Sequence, residues 1–132
     1  MLKKAILHTD GGARGNPGPA GIGAVLKVGD DTYYYKKYIG ETTNNQAEYQ
    51  ALILGLAKAK ELGVDEVDCF LDSELVVKQL NREYKVKDKD LAPLFIKVYN
   101  LSLGFKKIVF KHVFREANKA ADKLVNEAID ER

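Results

Sequence analysis

The amino-acid sequence predicts a single α/β domain, built on a mixed five-stranded sheet with helices packed against it. A chain of 132 residues is long enough for one domain with a sizeable core and leaves little room for a second. Three apolar runs separated by short turns open the chain, which is typical of an antiparallel meander. The later apolar runs alternate with helical segments, as the crossovers between parallel strands require.

The first three strands are predicted at residues 3–9, 21–28 and 32–39. Residues 10–21, between the first two runs, are dominated by Gly, Pro and Asn and are predicted to form a loop or a sharp turn. Gly29 and Asp30 suit a tight hairpin between the second and third strands. The three consecutive tyrosines Tyr33–Tyr35 indicate that the third strand is a half-exposed edge.

Four helices and two further strands complete the predicted order β-β-β-α-β-α-α-β-α. The helices are predicted at residues 42–63, 73–81, 91–103 and 116–131, and the strands at residues 66–71 and 106–114. The first helix has the clearest signals, because Thr43 and Gln46 match a capping box and Gly63 is a natural C-terminal stop. Pro93 fits the first turn of the third helix.

Composition and charge narrow the classes of function. The chain is 45% hydrophobic and 30% charged and has no apolar run near the length of a membrane span, which predicts an ordinary globular protein without a membrane partner. It turns polar too soon after Met1 for a signal peptide, and its single cysteine, Cys69, cannot form an internal disulfide, so we expect a cytoplasmic location. The net charge of +2 does not by itself indicate nucleic-acid binding. Basic residues cluster at residues 78–89 and 106–115, for which a solvated surface is the simpler explanation.

Four carboxylates occupy positions that a folded protein would not ordinarily give to a charge. Asp10 and Asp72 each end an apolar run that is predicted to be a strand, and Glu48 and Asp122 lie on the apolar faces of two predicted helices. An ionised carboxylate removed from water is costly unless it is paired or binds a metal. If the four converge, the sequence predicts a divalent-cation site, and phosphoryl chemistry is the main use of such a site.

The predicted topology offers a way to bring two of the four together. Neighbouring parallel strands lie about 4.8 Å apart, so Asp10 and Asp72 would project side by side at the carboxyl edge of the sheet. Each residue alone has an ordinary explanation, since an Asp after a strand commonly begins a turn and a helical Glu is usually solvated. The joint pattern favours the metal site.

Each of the four carboxylates lies in a distinctive segment, and the segments together span residues 6–126: ILHTDGGARGNPGPAG, TNNQAEYQALI, LDSELVVKQLN and HVFREANKAADKLVN. In this order they resemble the four signature blocks of the type 1 ribonuclease H family. The resemblance implies a ribonuclease H-like mixed five-stranded sheet, with three antiparallel strands followed by parallel strands and helices on both faces. It also implies one domain over residues 1–132.

The resemblance implies Mg²⁺-dependent endonucleolytic hydrolysis of the RNA strand of RNA–DNA hybrids, leaving 5′-phosphate and 3′-hydroxyl ends. Asp10, Glu48, Asp72 and Asp122 would be the catalytic and metal-binding tetrad, holding two Mg²⁺ ions with Mn²⁺ as a substitute. Carboxylates suit Mg²⁺, which prefers hard oxygen ligands. Two ions could activate a water on one side of the scissile phosphate and stabilise the leaving oxygen on the other, and Asp10 is expected to bridge them.

The resemblance further implies substrate contacts around the acids. Small residues let backbone amides approach a nucleic-acid backbone closely, and the 2′-hydroxyl that distinguishes RNA is displayed in a wide, shallow minor groove. The expected contacts are Gly11, Gly12, Ala13, Arg14, Asn16, Thr43, Asn44, Asn45 and Gln46. Thr43 and Asn44 are expected at a DNA phosphate. Turn formation is an alternative role for Asn16, and helix capping for Thr43.

The chain departs from many family members near the fourth block. His112 lies ten residues before Asp122 and matches the histidine of a mobile loop, but the sequence KHVFREAN lacks the glycine of that loop. The sequence leaves open whether His112, Arg115 or Glu116 assists product release or water delivery. The short segment after LDSELVVKQLN, and the lack of a hybrid-binding domain before residue 1, indicate a compact form. We expect weaker substrate affinity than in members with a full protrusion, and activity on double-stranded RNA is open.

Three hypotheses about function follow. The first is an endoribonuclease specific for RNA–DNA hybrids, with no obligate protein partner. The second is a related nuclease acting on another nucleic acid, such as a DNA junction or a transposon end, and the third is a non-catalytic hybrid-binding module. The blocks TNNQAEY and DGGARGNPGP favour the first hypothesis because they carry the expected 2′-hydroxyl contacts. The presence of all four acids argues against the third.

Overall fold

A computed structural model describes residues 2–132, which form five strands and four α-helices. The strands are β1 (Lys4–Ala13), β2 (Gly18–Val28), β3 (Asp31–Thr42), β4 (Glu66–Leu71) and β5 (Lys107–His112). The helices are α1 (Asn44–Glu61), α2 (Glu74–Leu80), α3 (Ala92–Ser102) and α4 (Lys119–Asp130), the last preceded by a 3-10 turn at Arg115–Ala117. The element order is the predicted one.

The five strands form one mixed sheet in the order β3-β2-β1-β4-β5. β1 pairs antiparallel with β2, and β2 pairs antiparallel with β3. β4 pairs parallel with both β1 and β5. The predicted meander followed by parallel strands is therefore confirmed, and β1 lies at its centre, with an antiparallel neighbour on one side and a parallel neighbour on the other.

Helices cover both faces of the sheet, as expected. Leu7 of β1 and Leu26 of β2 pack with Leu52 and Leu56 of α1, and all four side chains are fully buried. Burying one such side chain contributes about 1.5–3 kcal/mol, so this layer stabilises the fold substantially. α4 packs against the first three strands on the opposite face.

α4 approaches β2 closely because the facing residues of that strand are glycines. A Cβ atom placed on Gly23 would lie 2.7 Å from the carbonyl oxygen of Ala121 and 2.7 Å from Cβ of Leu124. Gly21 would meet the carbonyl oxygen of Val125 at the same distance. The missing side chains therefore set the distance between helix and sheet, and with it the position of Asp122 in the first turn of α4.

The predicted loop at residues 10–21 is wrong at both ends. β1 continues to Ala13 and β2 begins at Gly18, so only residues 14–17 form the connection. Asp10 pairs with Gly23 in the ladder and is thus inside a strand rather than at its end. Glycine disfavours strands locally, but cross-strand pairing satisfies its backbone groups and overrides that preference.

Other boundaries move by a few residues. Thr43 caps α1 as predicted, accepting a hydrogen bond from the backbone N–H of Gln46 at 3.2 Å. The reciprocal bond of a capping box is replaced by a contact between the Gln46 side chain and the Thr42 hydroxyl. The start of the predicted helix 116–131 is instead the 3-10 turn, and α4 begins at Lys119.

Among the helices formed by residues 2–132, none combines the length and apolar character needed to cross a membrane.

Candidate functional site

Three of the four predicted carboxylates converge where the pairing of β1 with β4 ends. Asp10, Glu48 and Asp72 each offer a carboxylate oxygen, and these three atoms lie within 4.8 Å of one another. They come from β1, from α1 and from the residue that follows β4. Residues 38 and 24 positions apart in the chain therefore meet at a spacing that a shared cation could bridge.

The parallel pairing of β1 and β4 places Asp10 beside Asp72. The last pair in this ladder is Thr9 with Leu71, and each acid directly follows its member of the pair. Equivalent positions on adjacent strands lie about 4.8 Å apart, so the two side chains emerge together. The expectation that the two strands are parallel neighbours is confirmed, although β1 runs on beyond its acid.

Gly11 lets α1 bring Glu48 to the same point. A Cβ atom on Gly11 would lie 2.2 Å from the carbonyl oxygen of Ala47 and 2.6 Å from the backbone nitrogen of Glu48. No side chain can occupy that space, so only glycine allows the start of α1 to rest directly on β1. The close approach places Glu48 against the residue preceding Gly11, which is Asp10.

Burial and mutual repulsion disturb the titration of the two inner acids. Asp10 and Glu48 are each 7% exposed. Burial raises the pKa of Asp10 to about 7, and the neighbouring Asp72 and Asp122 add to the increase. Burial, followed by the Asp10 charge, also raises the pKa of Glu48 well above its usual range. The two behave as a pair that retains a proton where isolated carboxylates are ionised.

The donor set fits a divalent cation. Within residues 2–132, no lysine or arginine forms an ion pair with any of these acids. The Oε2 atom of Glu48 is buried and has no hydrogen-bond partner in the described structure. Carboxylate oxygens are among the ligands that Mg²⁺ and Ca²⁺ prefer. A bound cation would remove the cost of burying them.

The acids lie in an open cavity of about 320 Å³. Asp122 also borders it, so all four predicted acids share one cavity. The other predicted site residues that border it are Gly11, Gly12, Ala13, Arg14, Asn44, Asn45 and Arg115. Ser73, Val125, Asn126 and Ile129 border it as well and were not singled out from the sequence as site residues.

Three predicted substrate residues do not border the cavity and have local structural contacts. The Asn16 side chain accepts a hydrogen bond from the backbone N–H of Asn44 at 2.9 Å. Thr43 caps α1, and Gln46 contacts Thr42. The alternative roles in the turn and the helix cap are thus present, and direct substrate contact by Asn16, Thr43 and Gln46 stays a prediction.

Two hydrogen bonds of Asn44 join the end of β1 and the β1–β2 turn to the start of α1. Asn44 donates through its backbone N–H to the side-chain oxygen of Asn16 and, through its own side-chain oxygen, accepts a bond from the backbone N–H of Ala13 at 2.8 Å. Because the turn and the helix are joined in this way, the small residues of β1 and the amide side chains of Asn44 and Asn45 line one wall of the cavity.

Arg115, rather than His112, borders the cavity. His112 is the last residue of β5, is exposed, and rests edge-on against Phe114 with ring centroids 5.5 Å apart. Arg115 opens the 3-10 turn that links β5 to α4. The sequence could not decide between His112 and Arg115, because the direction in which the chain turns after β5 determines which of the two side chains reaches the cavity.

Arg14 borders the cavity, and its guanidinium group forms an ion pair with Asp130 of α4. Its Nη1 atom lies 2.6 Å from a carboxylate oxygen of Asp130, and its Nη2 atom donates to the side-chain oxygen of Asn126 at 3.3 Å. The pair is solvent-exposed, so its contribution to stability is small. Its effect is to fix the direction of the guanidinium group along α4.

The chain is similar to known proteins over nearly its whole length. The reverse transcriptase-like family matches residues 8–128. The chain is 44% identical over 130 residues to the bifunctional protein Rv2228c of Mycobacterium tuberculosis, a match that covers 96% of this chain and 36% of that protein. The chain thus spans only about a third of the length of that relative.

Two solved structures superpose over nearly the whole fold. RNase H1 from the halophilic archaeon Halobacterium salinarum matches with a TM-score of 0.94 and 41% identity, covering 98% of this chain and 99% of that one. LC11-RNase H1, isolated from compost and crystallised with an RNA/DNA hybrid, matches with a TM-score of 0.91 and 48% identity over 96% and 97% of the two chains. With this likeness in sequence and fold, the chain belongs to the type 1 ribonuclease H family.

Proposed function

We propose that the protein is an endoribonuclease that hydrolyses the RNA strand of RNA–DNA hybrids with the help of divalent cations. The observation that carries this proposal is the meeting of Asp10, Glu48 and Asp72 oxygens within 4.8 Å in an open cavity. The products would carry 5′-phosphate and 3′-hydroxyl ends. The structure of a relative with 48% identity, crystallised with an RNA/DNA hybrid, supports the choice of substrate.

The site would hold two Mg²⁺ ions, with Mn²⁺ as a substitute, on Asp10, Glu48, Asp72 and Asp122. When bound, such ions supply an activated water and stabilise the charge on the leaving oxygen. The buried pair Asp10 and Glu48 is suited to the inner position, because it has no protein cation to compete for its charge. Asp72 and Asp122 are suited to the rim of the cavity, closer to the substrate.

Arg115 is the residue we assign to the phosphate. It borders the cavity that contains the acids, and a guanidinium group matches the geometry of phosphate oxygens. In that position it would balance negative charge as the bond breaks. His112 lies outside the cavity lining and is assigned no direct contact with the reacting phosphate.

The part of the cavity lined by β1 and the start of α1 would bind the sugar. Gly11, Gly12 and Ala13 border the cavity with small side chains or none, and Asn44 and Asn45 border it with amide side chains. Amides can both donate to and accept from a 2′-hydroxyl, the group that separates RNA from DNA. This surface is the basis for a preference for hybrid over duplex DNA.

Turnover of three labelled substrates tests the proposal. Hybrid, duplex RNA and duplex DNA of one sequence would be incubated with Mg²⁺ or with EDTA, and the ends of the products identified. We expect Mg²⁺-dependent cleavage of the hybrid RNA strand and no cleavage of duplex DNA. Cleavage of duplex DNA at an equal rate would identify a different nuclease, and hybrid binding without cleavage would identify a binding module.

A further inference from the structure

Asn118 is a buried residue at the junction of the three segments that carry Asp10, Asp72 and Asp122. It is 1% exposed and stands at the N-terminal end of α4. Asparagine is favoured at this position because its side chain usually accepts a hydrogen bond from the first turn of the helix. Here the side chain makes no such bond. The side-chain NH₂ group is therefore free to bind outside the helix.

The side-chain nitrogen of Asn118 faces two acceptors. It donates to the carbonyl oxygen of Thr9 at 2.9 Å and to Oδ2 of Asp72 at 3.3 Å. A carbonyl and a carboxylate can only accept, so the amide must present its NH₂ group to them. One side chain thus joins the residue before Asp10 to the carboxylate of Asp72, at the point where the β1–β4 ladder ends.

The backbone of Asn118 extends the connection to the fourth acid. Its carbonyl oxygen accepts a hydrogen bond from the N–H of Asp122 at 3.1 Å, the first helical bond of α4. A shift of Asn118 would therefore move Asp72 through the side chain and Asp122 through the helix. A single asparagine fixes both acids relative to β1.

We propose that Asn118 is a positioning residue, which holds the Asp72 carboxylate beside Asp10 and thereby sets the affinity of the site for divalent cations. The inference rests on the metal-dependent function proposed above. Groups that orient metal ligands typically change metal affinity by about 10–100-fold when they are replaced. Without the Asn118 donor, the repulsion from Asp10 would favour rotation of Asp72 toward solvent.

Replacement by serine separates positioning from folding. Serine is itself a favoured residue at the start of a helix, so Asn118→Ser should leave α4 intact, but its short side chain cannot reach Thr9 and Asp72 together. A second variant, Asn118→Asp, keeps the shape and places an acceptor against two acceptors. Asn81→Ala is the matched control, because Asn81 also donates to a strand carbonyl, that of Phe110 at 3.0 Å, but lies away from the acids.

Mg²⁺ binding would be measured by calorimetric titration, with kcat and KM on hybrid as a second readout. We expect Asn118→Ser to weaken Mg²⁺ binding about 10–100-fold, with KM for hybrid unchanged at saturating Mg²⁺. Asn118→Asp should lower the melting temperature in EDTA, because it adds a negative charge beside Asp72. The melting temperature of Asn118→Ser in EDTA should stay near that of the unaltered protein. Asn81→Ala should lower the melting temperature and leave Mg²⁺ affinity unchanged.

The outcomes distinguish this proposal from the proposed function. If the unaltered protein binds Mg²⁺ and Asn118→Ser binds it equally well, Asn118 does not position Asp72 and the inference is overturned alone. If the unaltered protein binds no Mg²⁺, the metal-dependent function and the inference both fail. If Asn118→Asp does not fold, Asn118→Ser decides the question.

Discussion

An oxygen of Asp10 lies within 4.8 Å of an oxygen of Glu48, and each of the two side chains is 7% exposed. Two carboxylates so close and so poorly hydrated cannot both be ionised at low cost without a cation. The folded protein therefore carries a local source of instability at the position where its chemistry is proposed to occur. Because the two carboxylates repel each other, binding of either a metal ion or a proton to the pair stabilises the folded protein.

Stability in the absence of metal should fall as the pH rises. The pKa of Asp10 is about 7 in the folded protein against 3.8 in the unfolded chain, so the folded state binds a proton more strongly. The stabilisation is complete below the unfolded value and is lost as the pH rises through the folded value. Between pH 5.5 and 7.5 we expect the free energy of unfolding in EDTA to drop by on the order of 2 kcal/mol.

Urea denaturation in EDTA at the two pH values would measure this drop. Adding Mg²⁺ at the higher pH should restore the lost stability, because a cation replaces the proton. A free energy of unfolding that rises with pH over the same range would contradict the assignment of Asp10 and Glu48 as a pair with raised pKa values.

Asp10→Asn should abolish cleavage and stabilise the metal-free protein near neutral pH. The amide keeps the shape of the side chain but removes one of the repelling charges. We expect no detectable Mg²⁺-dependent cleavage of hybrid and a higher melting temperature in EDTA. Asp30→Asn, in the exposed β2–β3 hairpin, is the control and should change neither quantity. Near-normal cleavage by Asp10→Asn would show that the site is assigned wrongly.

Gly11→Ala should damage both stability and activity. The new Cβ would lie 2.2 Å from the carbonyl oxygen of Ala47, a backbone atom that cannot move without displacing α1. Overpacking of this kind costs about 1–3 kcal/mol, and the displaced helix carries Glu48. Gly12→Ala is the matched control for stability, since its Cβ would meet only Cγ1 of Val125 at 3.6 Å. Equal unfolding midpoints for the two variants would refute the proposed close approach.

Arg115→Ala should lower kcat on hybrid by at least about tenfold, because the site would lose its cation for the phosphate. His112→Ala should have a much smaller effect, since His112 does not border the cavity. Steady-state kinetics of both variants at saturating Mg²⁺ would make the comparison. A large loss with His112→Ala and none with Arg115→Ala would reverse the assignment.

Much of this fold was readable from the sequence because its elements have strong local signals. Apolar periodicity and turn residues predicted the order of all nine regular elements found in residues 2–132. The prediction was wrong at residues 10–21, where pairing between β1 and β2 continues through Gly11, Gly12 and Gly21. Those glycines are needed for helices that approach from opposite faces, and no local signal reports such packing.

The residues of the candidate site, like the elements of the fold, could be predicted from the sequence only in part. Carboxylates in apolar surroundings are conspicuous in the sequence, so all four acids could be named in advance. Asn118 shares a helical face with Asp122, but its contact with Asp72 spans 46 residues. The choice of Arg115 over His112 depends on how the chain turns after β5. Hydrophobic periodicity along the chain carries no information about long-range contacts or about the direction of a loop.

By itself, the sequence determined the identity of the chemical groups and the elements that carry them, because hydrophobic patterning and charge are properties of neighbouring residues. Only the tertiary structure decided that Asp10, Glu48 and Asp72 meet within 4.8 Å. That distance depends on β4 pairing beside β1 and on α1 resting against Gly11. Both are consequences of packing the whole chain.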